Sequence, residues 1–313
     1  MLTTLRFEEP DRPPHFETMF EIEEEAFGLR FPDRRAWEGC SDARKSRMIE
    51  QCIAIYERII ETYAWDALPV YWPWSDPDGV AAARRAFGNR VLVGSIIGRV
   101  VWSIETIDDW MAFSVDLAEH PDRIHAEARR RLIAAKTTID RLADAGAEFI
   151  LLVNDIADNK ATFLRPAQMR EFVLPYLGEA VAHVRDRGAI PFVHTDGNIM
   201  SILDDWIALG AACYQSVDPM AGMDIAKVKR RCHGRLALMG NVQCSLLQDG
   251  PEETIRASAR YCLDHAAIGG GYIFGSSNTI FPGMPLRNYE IMLDEFRSWC
   301  SGSGQDIRRP PDR

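Results

Sequence analysis

The sequence predicts a single-domain α/β protein of the (β/α)8-barrel class with an irregular N-terminal extension. Short β-rich runs alternate with longer helical patterns, the runs are nearly continuous in apolar residues, and no GxGxxG follows the first run. Continuous apolar runs are typical of parallel strands covered by helices. The missing glycine motif disfavours a dinucleotide-binding doubly wound sheet. With 313 residues, 47% of them hydrophobic, the chain is long enough for such a barrel.

The individual elements follow from residue type and periodicity. Seven runs combine β-branched and aromatic residues with a polar or turn-forming end, as strands do. They cover residues 66–71, 91–97, 148–153, 190–193, 212–215, 236–239 and 271–274. Helical patterns cover residues 43–63, 122–145, 166–186, 251–267 and 286–299. The pattern assigns no position to an eighth strand.

The chain divides into three stretches. Residues 1–35 carry several prolines and charges and are predicted to be an extension, and residues 36–302 contain no linker and are predicted to be one barrel domain. Residues 303–313 have too few apolar side chains to pack and are predicted to be a disordered tail.

Composition excludes several classes of partner and compartment. The 46 acidic and 36 basic residues give a formal charge of -10, which argues against nucleic acid and anionic membrane surfaces. No apolar run approaches the roughly 20 residues that span a bilayer, and the first residues lack the apolar centre of a signal peptide. The seven cysteines are an odd number without a CxxC pair, which disfavours a disulfide framework. We therefore expect a cytoplasmic protein.

Polar residues that directly follow the predicted strands are the candidates for an active site, because the loops after the strands build it in this fold. Arg99, which follows the second run, is one of these candidates. The residues predicted to contact substrate are Tyr71, Trp72, Trp74, Asn154, Asn198, Gln215, Asn241, Gln243, Ser276 and Asn278.

The segment PFVHTDGN carries the sharpest pattern. His194 and Asp196 stand two residues apart at a strand end, so they share a face and can reach one metal ion or one substrate. We predict both as catalytic residues and as metal ligands. A catalytic zinc usually has three protein ligands, and Asp155, Glu17 and Cys244 are the candidates for the third. Alternatively, Asp196 caps a helix starting near residue 199 and His194 only bonds a neighbour.

Other candidate residues also have two interpretations. Asp155 follows the run EFILLV and is predicted to be catalytic, by orienting substrate or acting as general base, but it could instead organise the turns of its own loop. Cys244 is close to a strand end, although free cysteines are more often small buried residues. The cluster YWPW either lines an aromatic pocket or covers the barrel rim.

Five segments carry a family resemblance in their order and spacing: PDRPPHFE, NDIADNKATFLRPAQMREFVLPYL, PFVHTDGNI, ALMGNVQ and GGYIFGSSNTIFPGMPLRNYEIML. Together they resemble the uroporphyrinogen decarboxylase superfamily. The resemblance implies a (β/α)8 barrel and one of two activities. One branch decarboxylates uroporphyrinogen, and the other contains methyltransferases that exchange methyl groups with corrinoid proteins, including aryl-ether O-demethylases.

The sequence departs from both branches. Decarboxylases of this kind open with a Met-Arg-Gln-Ala-Gly-Arg-Tyr run and have an aspartate after the first strand, where Tyr71 and Trp72 stand here. The methyltransferase branch commonly holds zinc through a His-x-Cys pair and a later cysteine. By that resemblance His194 is retained, Asp196 replaces the first cysteine and Ser276 falls at the second. Oxygen ligands in place of thiolates imply a harder Lewis acid site.

The resemblance therefore favours a methyltransferase that moves a methyl group from a small O-methyl (aryl ether) substrate to a partner corrinoid (cobalamin) protein. Zinc would be held by His194 and Asp196, with Asp155 orienting the methoxylated substrate. One alternative is a metal-free decarboxylase-type lyase, in which Asp155 or His194 handles the proton. Another is a non-catalytic binding barrel, for example a corrinoid-protein docking subunit. Metal content and corrinoid dependence distinguish the first two.

Overall fold

A computed structural model describes residues 1–73, 76–88 and 90–302. The predicted substrate contact Trp74 and the predicted tail 303–313 lie outside these residues. Within them, seven parallel strands form one sheet in the order of the chain. They are β1 (Ala67–Val70), β2 (Leu92–Gly98), β3 (Phe149–Val153), β4 (Ile190–Thr195), β5 (Cys213–Ser216), β6 (Ala237–Met239) and β7 (Tyr272–Ile273).

All seven predicted strands are confirmed, and their ends lie within two residues of the predicted ones. Every neighbouring pair is parallel, as the continuous apolar runs indicated. The register brings His194 opposite Val153 on β3 and opposite Gln215 on β5. The carboxyl ends of the central strands therefore meet at one edge of the sheet.

The two outer strands of the sheet contact the same N-terminal segment. The N–H of Asp66, just before β1, donates to the carbonyl of His15 at 2.8 Å, and the N–H of Phe274, just after β7, donates to Pro14 at 2.8 Å. His15 and Phe274 also form a parallel bridge. Residues of the predicted extension thus lie between β1 and β7, where an eight-stranded barrel has a further strand. No eighth strand is present in the described part of the chain.

Helices fill the connections between the strands. The described residues contain α1 (Leu2–Leu5), α2 (Glu23–Phe27), α3 (Asp42–Tyr63), α4 (Pro77–Phe87), α5 (Trp110–Glu119), α6 (Pro121–Asp144), α7 (Pro166–Phe172), α8 (Leu174–Asp186), α9 (Leu203–Ala208), α10 (Ile225–Cys232), α11 (Cys244–Asp249), α12 (Glu252–Ala266) and α13 (Leu286–Gly302). Four of the five predicted helices are single helices. The fifth, residues 166–186, is two helices, because Pro175 lacks an N–H and disfavours an uninterrupted helix through that position.

Aromatic side chains fill the space enclosed by the sheet. Phe149 on β3 and Phe192 on β4 have ring centroids 5.1 Å apart, and Phe16 packs against Phe149 at 5.9 Å. All three are buried, and Phe20 has no exposed surface. The first 35 residues, predicted as an irregular extension, therefore supply part of the hydrophobic core.

Among the described residues, none of the helices has both the length and the apolar character needed to cross a membrane.

Candidate metal centre

The HTD segment leaves β4 with its first two residues still in the strand. His194 is 7% exposed on β4, and Asp196 follows directly after the strand ends at Thr195. The turn that follows requires a glycine, because Gly197 has a φ of +83° and a Cβ there would lie 2.4 Å from the carbonyl oxygen of Ala157. The sharp turn keeps the backbone close to the neighbouring loop.

Three side chains come together at this point. His194 Nε2 lies 3.4 Å from Asp155 Oδ1 and 3.8 Å from Asp196 Oδ1. Asp155 follows the neighbouring strand β3, and its Oδ1 also accepts a hydrogen bond from the backbone N–H of Asp196 at 3.3 Å. One nitrogen and two carboxylates offer donor atoms that all lie within 4.8 Å of one another.

Gln215 on β5 determines which imidazole nitrogen faces the carboxylates. The Nε2 of Gln215 donates to the carbonyl of Asn278 at 3.4 Å, so its Oε1 is the atom that meets His194 Nδ1. An amide oxygen only accepts, and Nδ1 must therefore carry the proton. In the neutral ring Nε2 then presents a lone pair toward Asp155 and Asp196, whereas in the protonated ring Nε2 donates a hydrogen bond to Asp155.

Asp196 is fixed from its other side. Ser216 Oγ donates to Asp196 Oδ1 at 2.6 Å, and Asn278 Nδ2 donates to Oδ2. The short helix near residue 199 has Ile199 at its N-cap and no side-chain cap. The alternative role of Asp196 as a helix cap is therefore wrong. Its oxygens are instead held by polar groups from β5 and from the loop after β7.

The charges of the three groups are coupled. Burial lowers the pKa of His194, but the hydrogen bond to Asp155 and the charges of Asp196 and Asp155 outweigh burial and raise it to about 8. Burial raises the pKa of Asp155, whereas the hydrogen bond and charge of His194 lower it more, so the result is a lowered pKa. Burial raises the pKa of Asp196, and His194 offsets only part of that effect. At neutral pH, protons therefore compete with a metal ion for Nε2.

A cavity of about 450 Å³ opens onto these side chains. This is a volume typical of small-molecule sites. Five of the predicted site residues line it: Asp155, His194, Asp196, Gln215 and Asn278. A larger surface hollow of about 670 Å³ lies between α3 and α4, but it contains none of the predicted site residues.

Arg99, a candidate because it directly follows β2, also lines the cavity, together with four residues that the sequence did not indicate: Thr18, Arg34, Glu105 and Thr279. Thr18 and Arg34 belong to the predicted extension, in which Glu17 was the one residue predicted to reach the site. Arg99 and Glu105 lie in the connection after β2. The cavity therefore has cationic as well as anionic side chains.

Two of the predicted aromatic contacts, Tyr71 and Trp72, lie elsewhere. Tyr71 and Trp72 are buried, and the Tyr71 hydroxyl donates to the carbonyl of Phe20 at 2.7 Å. The Tyr56 hydroxyl donates to the carbonyl of Trp72 at 2.8 Å. Neither aromatic residue lines the cavity.

Four predicted amide contacts bond to loops outside the cavity. Asn154 Oδ1 accepts from two backbone amides after β2, and Asn198 Nδ2 donates to the carbonyl of Ala221 at 3.0 Å. Asn241 Nδ2 donates to Val217 O at 2.6 Å, and Gln243 Nε2 donates to a serine hydroxyl at 2.6 Å. The structure thus separates these four side chains from the group around His194. Their contact with substrate stays a prediction.

Of the three candidates for a third metal donor, Asp155 is the one that joins His194 and Asp196. Glu17 is fully buried and accepts the hydroxyl of Ser276 at 2.6 Å, which also places the predicted contact Ser276 beside Glu17. Burial raises the pKa of Glu17 to about 8. Burial likewise raises the pKa of the Cys244 thiol to about 11, which disfavours a thiolate ligand.

The donor set fits a divalent metal ion. Donors at about 2.0–2.1 Å around a tetrahedral zinc are about 3.3 Å apart, close to the 3.4 and 3.8 Å that separate Nε2 from the two carboxylates. A catalytic zinc usually has three protein ligands and one open position, and this group offers three donors beside a cavity. The bond between Nδ1 and Gln215 is the outer support that metal-binding histidines usually have.

A comparison with protein families identifies the group to which the chain is related. The uroporphyrinogen decarboxylase (URO-D) family model matches residues 92–299, which is more than half of the chain. The chain belongs to the URO-D family. The matched range contains His194, Asp196 and Asp155, whereas Glu17 and Arg34 precede it.

Curated URO-D relatives carry the name uroporphyrinogen decarboxylase. The protein from Aromatoleum aromaticum is 27% identical over 228 residues, which are 69% of this chain and 61% of that protein. A protein from Coxiella burnetii is 25% identical over 61% of this chain and 52% of its own length. The chain thus spans about half to two thirds of the length of the relatives it matches.

A solved structure matches almost the whole chain. A methyltransferase from Methanosarcina mazei superposes with a TM-score of 0.74, covering 95% of this chain and 97% of its own, at 17% identity. At this identity the likeness shows the fold. The comparisons therefore show membership of the URO-D family and a fold shared with this methyltransferase.

Proposed function

We propose that this chain is a methyltransferase that moves a methyl group from a small O-methyl substrate, an aryl ether, to a corrinoid carried by a partner protein. The observation that carries the proposal is the cluster of Asp155, His194 and Asp196 at one end of a cavity of about 450 Å³. The methyltransferase from Methanosarcina mazei supports this branch through its shared fold.

The three donors would hold a divalent ion such as zinc. The ion would act as a Lewis acid toward the ether oxygen. Two carboxylates and an imidazole are harder ligands than thiolates, which favours activation of an oxygen substrate over a thiol. In the transfer, the C–O bond would break, the ether oxygen would keep its electron pair and take up a proton from solvent, and the methyl group would bond to the cobalt of the Co(I) corrinoid, which supplies the electron pair of the new bond.

The residues around the donors have separate tasks in this scheme. Gln215 keeps the proton on His194 Nδ1, so that the lone pair of Nε2 stays available to bind a metal ion. Ser216 and Asn278 hold both oxygens of Asp196. The side chain of Asp155 is 37% exposed, compared with 8% for His194, and it faces the cavity as the donor best placed to orient a substrate.

A decarboxylase is the second candidate, because the curated relatives are named uroporphyrinogen decarboxylase. In that case the pair of His194 and Asp155, 3.4 Å apart, would handle the proton that replaces the lost carboxylate. The residue directly after β1 is Tyr71 rather than a carboxylate, and its hydroxyl is engaged with Phe20. This position therefore supplies no second acid.

The test is methyl transfer to free cob(I)alamin, followed by the absorbance of methylcobalamin, with a panel of methoxylated aromatic compounds. We expect turnover by the zinc-loaded chain and a loss of at least about 100-fold in His194→Ala, the scale of losing one electrostatic group at a reacting centre. His183→Ala is the matched control, because His183 pairs with Asp140 away from the cavity. Release of CO₂ from a polycarboxylated tetrapyrrole, without any methyl transfer, would favour the decarboxylase.

A further inference from the structure

Thr18, in the N-terminal segment that contacts both outer strands, lies beside the metal centre without being one of its donors. It is buried and lines the cavity, and its hydroxyl donates to the backbone carbonyl of Asn278 at 2.8 Å. The same carbonyl accepts the side-chain N–H of Gln215 at 3.4 Å. Because a carbonyl oxygen has two lone pairs, these two donors complete its hydrogen bonding and fix it from two sides.

The two amides that meet at this carbonyl each hold a metal donor. Asn278 Nδ2 donates to Asp196 Oδ2, and Gln215 Oε1 accepts the proton of His194 Nδ1. The hydroxyl of Thr18 therefore lies one hydrogen bond behind both of these supports. Outer hydrogen bonds of this kind orient the ligands of a metal ion and contribute to its affinity.

The N-terminal segment is itself anchored to the chain that follows β7. The N–H of Phe274 donates to the carbonyl of Pro14 at 2.8 Å, and the N–H of Ile280 donates to the carbonyl of Met19 at 3.1 Å. These backbone bonds lie on both sides of Thr18, so they limit how far its hydroxyl can move. The segment can thus hold the loop after β7 in one position.

We propose that Thr18 is a positioning residue of the metal centre. Its hydroxyl acts on Asp196 through Asn278, and on His194 through Gln215. The proposal rests on the metal site of the proposed function and does not depend on methyl transfer. Without the hydroxyl, the shared carbonyl keeps one donor instead of two, and both amides gain freedom to turn away from the metal donors that they hold.

The first experiment measures zinc affinity of the full-length chain by competitive titration against a chromophoric chelator. Thr18→Val keeps the shape of the side chain, removes the hydroxyl and leaves no buried donor unpaired. We expect it to bind zinc about three- to tenfold more weakly, the scale of one neutral hydrogen bond. Thr18→Ser restores the hydroxyl and should bind zinc nearly as tightly as the wild type. Thr18→Ala should show the same loss as Thr18→Val, which guards against misfolding of the valine variant.

Thr254→Val is the matched control. It loses the same kind of bond, from a threonine hydroxyl to a backbone carbonyl at 2.8 Å, in α12 and outside the cavity. It should bind zinc as the wild type does.

The second experiment records the visible spectrum of the cobalt(II)-substituted chain, which reports the arrangement of donors around the metal. A general loss of stability would leave the spectrum of the folded chain unchanged, whereas displaced donors would change it. We expect a changed spectrum in Thr18→Val and Thr18→Ala, and the wild-type spectrum in Thr18→Ser and Thr254→Val.

The outcomes separate this inference from the proposed function. If Thr18→Val weakens zinc binding and changes the cobalt spectrum but the wild type transfers no methyl group, the positioning role stands and the methyltransferase proposal fails. If the wild type transfers methyl groups and Thr18→Val matches its zinc affinity or its cobalt spectrum, the methyltransferase stands and this inference fails. A loss of affinity shared by Thr18→Ser or Thr254→Val would also overturn the inference, and a wild type that binds no zinc would overturn both proposals.

Discussion

Replacing Gln215 with leucine should weaken metal binding while leaving the three donors in place. Gln215 has no exposed surface, and its Oε1 accepts the proton of His194 Nδ1. Leucine has a similar volume but no acceptor, so Nδ1–H becomes a buried donor without a partner. The ring then loses both its preferred tautomer and its fixed orientation.

The expected size of this effect follows from the position of Gln215 behind the histidine. Loss of such an outer hydrogen bond typically weakens metal affinity by about 10- to 100-fold, or about 1.4 to 2.8 kcal/mol. Gln215→Glu restores an acceptor oxygen and should recover most of the affinity. The assay is a competitive zinc titration against a chromophoric chelator at one fixed pH, with protein unfolding followed separately by circular dichroism.

Gln243→Leu is the matched control, since it makes the same substitution in an amide that bonds Ser245 and does not line the cavity. It should bind zinc as the wild type does. The reasoning is refuted if Gln215→Leu, while folded, binds zinc as tightly as the wild type. It is also refuted if Gln215→Glu binds no better than Gln215→Leu.

Three other predictions concern stability and the unused candidates. Gly197→Ala should lower the free energy of unfolding in urea by at least about 2 kcal/mol, because φ is +83° and its Cβ would meet Ala157 O at 2.4 Å. Gly188→Ala, with φ +80° but open space, should cost only about 1 kcal/mol, and equal losses would contradict the clash. Burial lowers the pKa of His15 to about 3. Between pH 6.5 and 3 this histidine therefore binds a proton in the unfolded chain but not in the folded one. The free energy of unfolding should fall by about 1.4 kcal/mol for each pH unit as the pH drops through this range. His15→Gln should flatten that slope in urea titrations, and an unchanged slope would exclude this histidine as its source. Cys244→Ser should retain full zinc content by mass spectrometry, since Asp155 rather than this thiol joins the donor group; loss of zinc would make the cysteine a ligand.

The strands were predictable because each is a short apolar run with a polar end, as in the run that leads into Asn154 and Asp155. The segment around His15 escaped prediction for a physical reason. It contacts both outer strands through only a few backbone hydrogen bonds. The prolines just before it lack an N–H and are rare inside strands, so the local sequence does not predict a strand there. Its burial depends on residues more than 250 positions away, such as Phe274, which no local pattern contains.

The candidate site was predictable only in part. The spacing of His194 and Asp196 indicated a shared face, and the structure brings Asp155 to the same point. The aromatic residues after β1 could not be assigned in this way, because a strand end does not reveal whether a side chain turns to the cavity or into the core. Tyr71 turns to the backbone of Phe20. Similarly, the position of Asn241 after a strand predicted a contact with substrate, but its side-chain amide donates to two backbone carbonyls.

The central claim is that Asp155, His194 and Asp196 form one metal site. The most direct test is the metal content of the purified, zinc-equilibrated chain by mass spectrometry, beside His194→Ala, Asp155→Asn and Asp196→Asn. We expect one zinc per chain in the wild type and a loss in all three folded variants. A wild type without bound zinc, or variants that keep it, would contradict the account.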